Sequence, residues 1–339
     1  MKAIILAGGR GTRLEPVTHG AYPKPLAEIL GRPLLEHTLR HLSRCGFSDI
    51  CITLACMPEQ ITCRFGDGEA QGLHLTYRRE KEPLGTAGAV KNCRDFYGDQ
   101  PFLVISGDAL CDLDLAQLRR EHVLHGSAVT MALYPHEAPL PYGLAITDTA
   151  GRIRYFVEKP RWSGVVTDLV NTGIYVISPR AMELVPEGTA FDFGRDLFPL
   201  LLRRGEELRG VALDGYWRDI GDPGSYYRAN LDAWEGKISL AGAPDPAHRP
   251  PEEDAASPYT CRVFLPAMHR ARLMRELSAD LMEAGADFSH GLTVDSVPGG
   301  VHIAPCAGRD AITIESDDPD TVHRFEALAK RMEERIGGQ

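Results

Sequence analysis

Apolar runs of strand length recur at Ala3–Ala7, Ile50–Leu54, Phe102–Ile105, Val129–Leu133 and Ile174–Ile177. Each is short for a helix and of strand length. Between several of them the apolar positions change to a helical period: Leu34, Leu35, Leu39 and Leu42 within Leu34–Cys45, then Ala87–Cys93 and Leu115–His125. Strands alternating with helices predict an α/β fold with a doubly wound, mostly parallel sheet covered on both faces. Ligands of such sheets bind beyond the carboxyl ends of the strands, so chemistry is expected in the loops that follow them.

The pattern breaks at residues 241–258, which hold five prolines, five alanines and four acidic residues but no large apolar side chain. A segment with so little to bury reads as a linker. The expected organisation is a domain at 1–238, a linker at 239–260 and a small α+β domain at 261–339. In the last, Leu273, Leu277 and Leu281 predict a helix, and Leu292–Val297, Val301–Ala304 and Ala311–Glu315 predict strands. A final helix is expected with Asp318 as its cap, Pro319 in its first turn and the stripe Val322, Phe325, Leu328, Ala329 and Met332.

With 339 residues, 43% hydrophobic and 25% charged, the chain can form a sizeable core without disulfide or metal staples. A net charge of -10 argues against nucleic-acid and membrane-surface partners, while leaving room for a local basic pocket. The eight cysteines are scattered with no C-x-x-C pair, a spacing that fits reduced thiols rather than a disulfide frame or a zinc site. The opening apolar run is too brief for a secretory signal or a membrane span, so a cytoplasmic location is expected.

The first predicted strand, through Leu6 and Ala7, runs into Gly8-Gly9-Arg10-Gly11-Thr12-Arg13-Leu14. Its glycines lack Cβ atoms and let backbone N–H groups approach an anion closely. Two better-known phosphate loops do not fit: Leu14 stands where G-x-G-x-x-G needs its third glycine, and no G-x-x-x-x-G-K-[ST] occurs. Lys24, flanked by Pro23 and Pro25, is expected on a stiff, extended segment. Taken together, Gly8 to Pro25 resembles the signature G-G-x-G-T-R-L-x-P-x-T followed by P-K-P of the sugar-phosphate nucleotidyltransferases, with Pro16 and Thr18 in place. The likeness continues to about residue 235.

That resemblance implies a Rossmann-like domain that joins a nucleoside triphosphate to a sugar 1-phosphate and releases pyrophosphate. It implies nucleotide contacts at Leu6, Ala7, Gly8, Gly9, Gly11 and Thr12, with Arg13 and Lys24 at the reacting phosphates. Physically, the α-phosphorus must accept a second anion, so positive charge aimed at its oxygens is the main help available. A sugar phosphate is already ionised near neutral pH, so no base is required.

Further segments resemble the same family. Glu82, Pro83, Gly85, Thr86 and Ala87, within Glu82–Gly88, match its base-reading segment, with glycines expected to let main-chain atoms reach the base edge. Asp108, after Phe102–Ile105 and Ser106-Gly107, and Asp219, within a W-x-D-[IV]-G-x-P match, are the implied Mg2+ ligands; Mg2+ takes one or two carboxylates plus substrate oxygens. Asp222 is expected to cap a helix starting near Ser225. Tyr142 and Gly143, Glu158 and Lys159, and Asn171, Thr172 and Gly173 match the sugar-phosphate side. Phe191–Pro199 resembles a segment of mannose-1-phosphate guanylyltransferases and is expected to pack in the core.

These likenesses imply GTP and mannose 1-phosphate as substrates. The alternatives are another pairing, such as a heptose 1-phosphate with GTP or a UTP- or CTP-using enzyme, and a catalytically silent subunit that senses sugar nucleotides. A homo-oligomer is an option that the sequence leaves open. The tail resembles the last domain of phosphohexomutases, but Ala304-Pro305-Cys306-Ala307-Gly308-Arg309-Asp310 stands where those carry R-P-S-G-T-E-P. A non-catalytic domain is expected there.

Overall fold

The computed structural model describes residues 1–160 and 165–240, and beyond them the strands at 259–264, 286–287, 292–294, 301–305 and 311–316. The predicted helices around Leu273–Leu281 and Val322–Met332 lie outside the described residues. The chain divides into two compact units, one of residues 1–27 and 34–223, the other of 28–33 and 224–339.

In chain order the strands are β1 (Ala3–Ala7), β2 (Glu28–Ile29), β3 (Arg32–Pro33), β4 (Asp49–Leu54), β5 (His74–Arg79), β6 (Phe102–Ser106), β7 (Ala109–Cys111), β8 (Val129–Pro135), β9 (Gly143–Thr147), β10 (Ile153–Glu158), β11 (Leu169–Ile177), β12 (Leu208–Ala212) and β13 (Trp217–Asp219). The first unit is built on a nine-stranded sheet in which β5, β4, β1 and β6 run parallel to one another. β11 joins antiparallel to β6 and to β8 and β9, and β10 closes that edge.

Strand alternation explains why both faces are covered. Ala3, Ile5 and Ala7 of β1 pack with Leu35, Leu39 and Leu42 of the helix Leu34–Arg44. Ile4, pointing the other way, packs with Ala87 and Val90 of the helix Gly85–Lys91 and with Phe198 and Leu201. The Phe191–Pro199 segment is core as expected: Phe193 and Phe198 are buried and stack 5.6 Å apart, with Tyr175 5.1 Å from each.

A closed ring of hydrogen bonds fixes the helix Leu115–His125 to β8 and β11. The Ser178 hydroxyl donates to the Ser127 carbonyl, so it must accept from His122 Nε2 at 3.1 Å. With the ring neutral, His122 Nδ1 accepts from Thr130 Oγ1 at 2.9 Å, and Ser127 donates to Thr130 at 2.8 Å. Burial, seconded by the Arg180 charge, holds the His122 pKa down to about 4. The folded state therefore favours the neutral form, and its advantage is complete above the unfolded value of about 6.5 and lost as pH falls toward about 4. Denaturant melts of wild type and His122→Gln should converge by roughly 2 kcal/mol across that window, after allowance for solvent screening. A gap that is constant with pH would remove His122 as the titrating group.

In the second unit, β2 and β3 form a hairpin turned by Leu30 and Gly31, both at positive φ. Asn230 accepts from the Leu30 amide at 3.1 Å, and the Tyr226 hydroxyl donates to the Glu28 carbonyl at 2.8 Å, so the helix Pro223–Trp234 holds this hairpin. That helix begins at Pro223, two residues before the position expected. The same unit contains a five-stranded antiparallel sheet made of Tyr259–Phe264, Ala286–Asp287, Leu292–Val294, Val301–Pro305 and Ala311–Ser316. No helix among the described residues is long and apolar enough to cross a membrane.

Candidate active site

The chemistry gathers where the parallel strands end. β1 finishes at Ala7 and the glycine loop follows, turning into a short 3-10 segment at Thr12–Leu14 whose Leu14 is fully buried. Gly11 lies at φ +65, and a Cβ there would stand 2.9 Å from the Cβ of Lys24. Only glycine allows that backbone form and that approach together. At the end of β6 the Gly107 amide donates to the Leu6 carbonyl at 2.9 Å, drawing Asp108 alongside the loop.

Lys24 is placed differently from expectation. Pro23 is extended at φ -74 and ψ 150, but Lys24 itself opens a 3-10 turn, Lys24–Leu26, and is buried to 8% exposure. The turn closes because the Ala27 amide donates to the Lys24 carbonyl at 3.0 Å, which outweighs the extended preference imposed by Pro25. Its ammonium lies 2.9 Å from Asp108 Oδ2 and 3.9 Å from Asp219 Oδ1.

Asp108 and Asp219, remote in sequence, meet through a two-stranded ribbon. β13 pairs antiparallel with β7, setting Asp219 opposite Ala109, and the Ile220 amide donates to the Asp108 carbonyl at 2.9 Å. Burial alone would raise the Asp108 carboxyl, but the Lys24 ammonium and the Ser106 hydroxyl outweigh it and hold its pKa below the usual range. Asp219 shifts the other way, to about 6, because burial and the Asp108 charge exceed the help it receives from Lys24 and Arg13. Arg13 lies close by: a Cβ on Gly221 would be 2.9 Å from Asp219 Oδ2 and 3.2 Å from Arg13 Nη2. No group of three or more His, Cys, Asp or Glu side chains among the described residues could hold a metal. Two carboxylates facing one another suit an ion whose remaining ligands are phosphate and water oxygens.

The base-side segment is packed more than it is free. Gly85, at φ +68, and Gly88 have the Phe191 and Thr189 carbonyls where their Cβ atoms would go, at 2.8 Å and 2.7 Å. These glycines thus make room for the chain at 189–191. Asp192 accepts from the Thr86 amide at 3.1 Å and from its hydroxyl at 3.2 Å. Glu82 and Pro83 are exposed.

Glu80 escaped the sequence reading. It follows β5 directly, its carboxylate occupies the space where a Gly8 Cβ would go, and it accepts from the Leu84 amide at 3.3 Å. Burial raises its pKa, opposed by that amide. A carboxylate that touches both the phosphate loop and the base-side segment was signalled only by its position two residues ahead of Glu82.

On the sugar side, Tyr142 packs against Trp217 at 5.3 Å, and its hydroxyl pKa is raised by burial and then by the Asp219 charge. Gly143 pairs with Glu158 across β9 and β10, and the Glu158 carboxylate lies against Gly143 and Gly194. Burial raises the Glu158 pKa, with Lys159 opposing. Lys159 holds φ +46, uncommon for a residue with a Cβ, and is kept there by donating its amide to the Tyr142 carbonyl at 3.1 Å. Thr172 is committed elsewhere: its buried hydroxyl donates to the Ala132 carbonyl at 2.8 Å, and its own carbonyl accepts from Trp217 Nε1 at 3.1 Å. Gly173, at φ +76 in a register shift of β11, leaves room for Ser106. These two therefore frame Trp217 and Asp108, and the Asn171 Oδ1 accepts from the Gly173 amide at 3.0 Å.

The sequence pattern of the family described as Nucleotidyl transferase matches residues 2–236. A UTP–glucose-1-phosphate uridylyltransferase of Synechocystis is 37% identical over 242 residues, 68% of this chain and 62% of that protein. A mannose-1-phosphate guanylyltransferase of Mycobacterium tuberculosis is 35% identical over 248 residues, 73% of this chain and 67% of that protein. The chain thus spans about two thirds or less of the length of these relatives. Among solved structures, HddC from Yersinia pseudotuberculosis, determined with GMP-PN, superposes with a TM-score of 0.59 at 29% identity, covering 68% of this chain and 99% of that one. UDP-glucose pyrophosphorylase with UDP-glucose gives 0.61 at 20% identity, a likeness of fold alone. The glycine loop, the Lys24 turn and the ribbon that joins Asp108 to Asp219 are parts of a protein that belongs to the nucleotidyl transferase family.

Proposed function

We propose that the chain transfers a nucleoside monophosphate from a triphosphate to a sugar 1-phosphate, releasing pyrophosphate, and that its preferred pair is GTP and mannose 1-phosphate. The observation that carries the reaction is the Lys24 ammonium held between Asp108 and Asp219 beside the glycine loop. Asp108 and Asp219 would hold Mg2+, which when bound offsets phosphate charge. Lys24 and Arg13 present positive charge where the α-phosphoryl oxygens gain it, with the sugar phosphate attacking and pyrophosphate leaving. The sugar phosphate arrives ionised, so no residue need remove a proton.

Guanine is favoured by Glu80. An ionised carboxylate only accepts hydrogen bonds. The Watson–Crick edge of guanine offers two adjacent donors, N1–H and the amino group, whereas those of uracil, cytosine and adenine each set an acceptor against one of the oxygens. A mispaired buried polar group costs about 1–3 kcal/mol, enough to select the base. The guanylyltransferase relative and the GMP-PN bound to HddC point the same way. UTP with glucose 1-phosphate is the second reading, favoured by the Synechocystis relative.

A grid of four triphosphates against several sugar 1-phosphates, read by pyrophosphate release, tests this. GTP with mannose 1-phosphate should lead, with rival sugars roughly 5- to 150-fold lower in kcat/KM. A lead for UTP with glucose 1-phosphate would overturn the named pair and leave the reaction class. No release from any pair would favour the silent, sensing reading. The tail, with the serine and threonine of the mutase phosphate loop replaced, is proposed as a non-catalytic domain following a linker.

A further inference from the structure

Both cations at the reacting centre are already set against carboxylates. Lys24 is engaged by Asp108 and Asp219, and Arg13 flanks Asp219 across Gly221. Two cations against two carboxylates leave this floor near neutral, yet the proposed reaction brings a triphosphate and a sugar phosphate into it. Bound Mg2+ offsets only part of that charge. Some other cation has to meet the phosphates that do not react.

Arg10 is placed for this. It sits in the loop leaving β1, between Gly9 and Gly11, and is exposed. Its guanidinium makes no ion pair and no hydrogen bond among the described residues, and so it is not neutralised in advance. The loop is closed on one side, where Lys24 backs Gly11, and open on the other, where nothing lies within 4 Å of a Cβ built on Gly9. A phosphate chain lying along the amides of this loop would run within reach of the Arg10 side chain. A guanidinium can grip phosphate oxygens through two parallel hydrogen bonds.

We propose that Arg10 holds the β- and γ-phosphates of the triphosphate, and pyrophosphate as product, apart from Arg13 and Lys24 at the transferring phosphorus. This rests on the nucleotidyl-transfer reading above. Arg10 is then a phosphate-holding residue whose loss weakens triphosphate and pyrophosphate together and leaves sugar-phosphate affinity alone.

The test uses the full chain with Mg2+ present. Tripolyphosphate and pyrophosphate are titrated by calorimetry into wild type, Arg10→Ala and Arg10→Lys, and KM is measured for GTP and for mannose 1-phosphate. Arg10→Ala should weaken both polyphosphates about 10- to 100-fold and raise the GTP KM in proportion, with the sugar-phosphate KM within about twofold. Arg10→Lys should recover part of the loss, as a point charge without the bidentate geometry. The melting temperature should not change, because the side chain is exposed. Tripolyphosphate binding by Arg10→Ala within about twofold of wild type would overturn the proposal, a margin well below the loss of a charge-assisted hydrogen bond. If wild type releases no pyrophosphate with any substrate pair, the transfer reading fails. The tripolyphosphate titration needs no sugar and still decides on Arg10.

Discussion

Replacing Lys24 with methionine should lower kcat by about a hundred- to a thousandfold, the scale of removing one preorganised electrostatic stabiliser. Methionine keeps the volume of the stem and removes the ammonium, so the change isolates charge from packing. Two carboxylates then face each other with Arg13 alone to offset them. Breaking a fully buried ion pair costs about 3–5 kcal/mol. Here the Asp108 side chain is 40% exposed, and solvent screening reduces the expected loss to about 1–2 kcal/mol. A second readout needs no turnover: Mg2+ without nucleotide should raise the melting temperature of Lys24→Met more than that of wild type, because the ion takes over the missing charge. Asp108→Asn combined with Asp219→Asn should abolish that rise. Near-normal kcat in Lys24→Met would remove Lys24 from the reacting centre, and an unchanged Mg2+ response in the double variant would remove the carboxylates as its ligands.

The sequence was informative where a residue type answers a local need. The β1 run, the glycines of the loop and the two prolines around Lys24 are all local signals, and the structure gathers Arg13, Lys24, Asp108 and Asp219 in one place. Periodicity also located the helix Leu115–His125 at its observed bounds. What could not be read was pairing. The antiparallel entry of β11 beside β6, and the ribbon that sets Asp219 opposite Ala109, depend on long-range register that apolar runs do not encode. The same limit explains Thr172. A buried threonine hydroxyl bonded across the sheet to Ala132 looks, in sequence, like one free to meet a sugar. Gly85 and Gly88 were visible as glycines, but their neighbours at 189–191 were not. His74–Arg79 offered no clear apolar run, because at the edge of the sheet none of its residues is fully buried, and Glu80 at its end was missed with it.

Glu80→Gln should invert the choice of base. The carboxylate presents two acceptors; the amide presents one acceptor and one donor. Guanine N1–H and its amino group would then meet an N–H on one side, while the N3–H and neighbouring carbonyl of uracil would find a matched pair. Loss of a charge-assisted acceptor with a donor left opposing it should lower kcat/KM for GTP on the order of a hundredfold and raise that for UTP, with kcat for the best pair little changed. The fold should tolerate the change, since glutamine keeps an oxygen for the Leu84 amide. A pH series gives an independent check. Burial holds the Glu80 pKa above its ordinary value, so in wild type the GTP-over-UTP ratio should narrow as pH falls toward that raised pKa and the carboxyl gains a proton. In Glu80→Gln the ratio should be flat over the same range. If the variant kept the wild-type preference for GTP, the base would be read elsewhere, and the main-chain atoms of Glu82–Thr86 would be the next place to look.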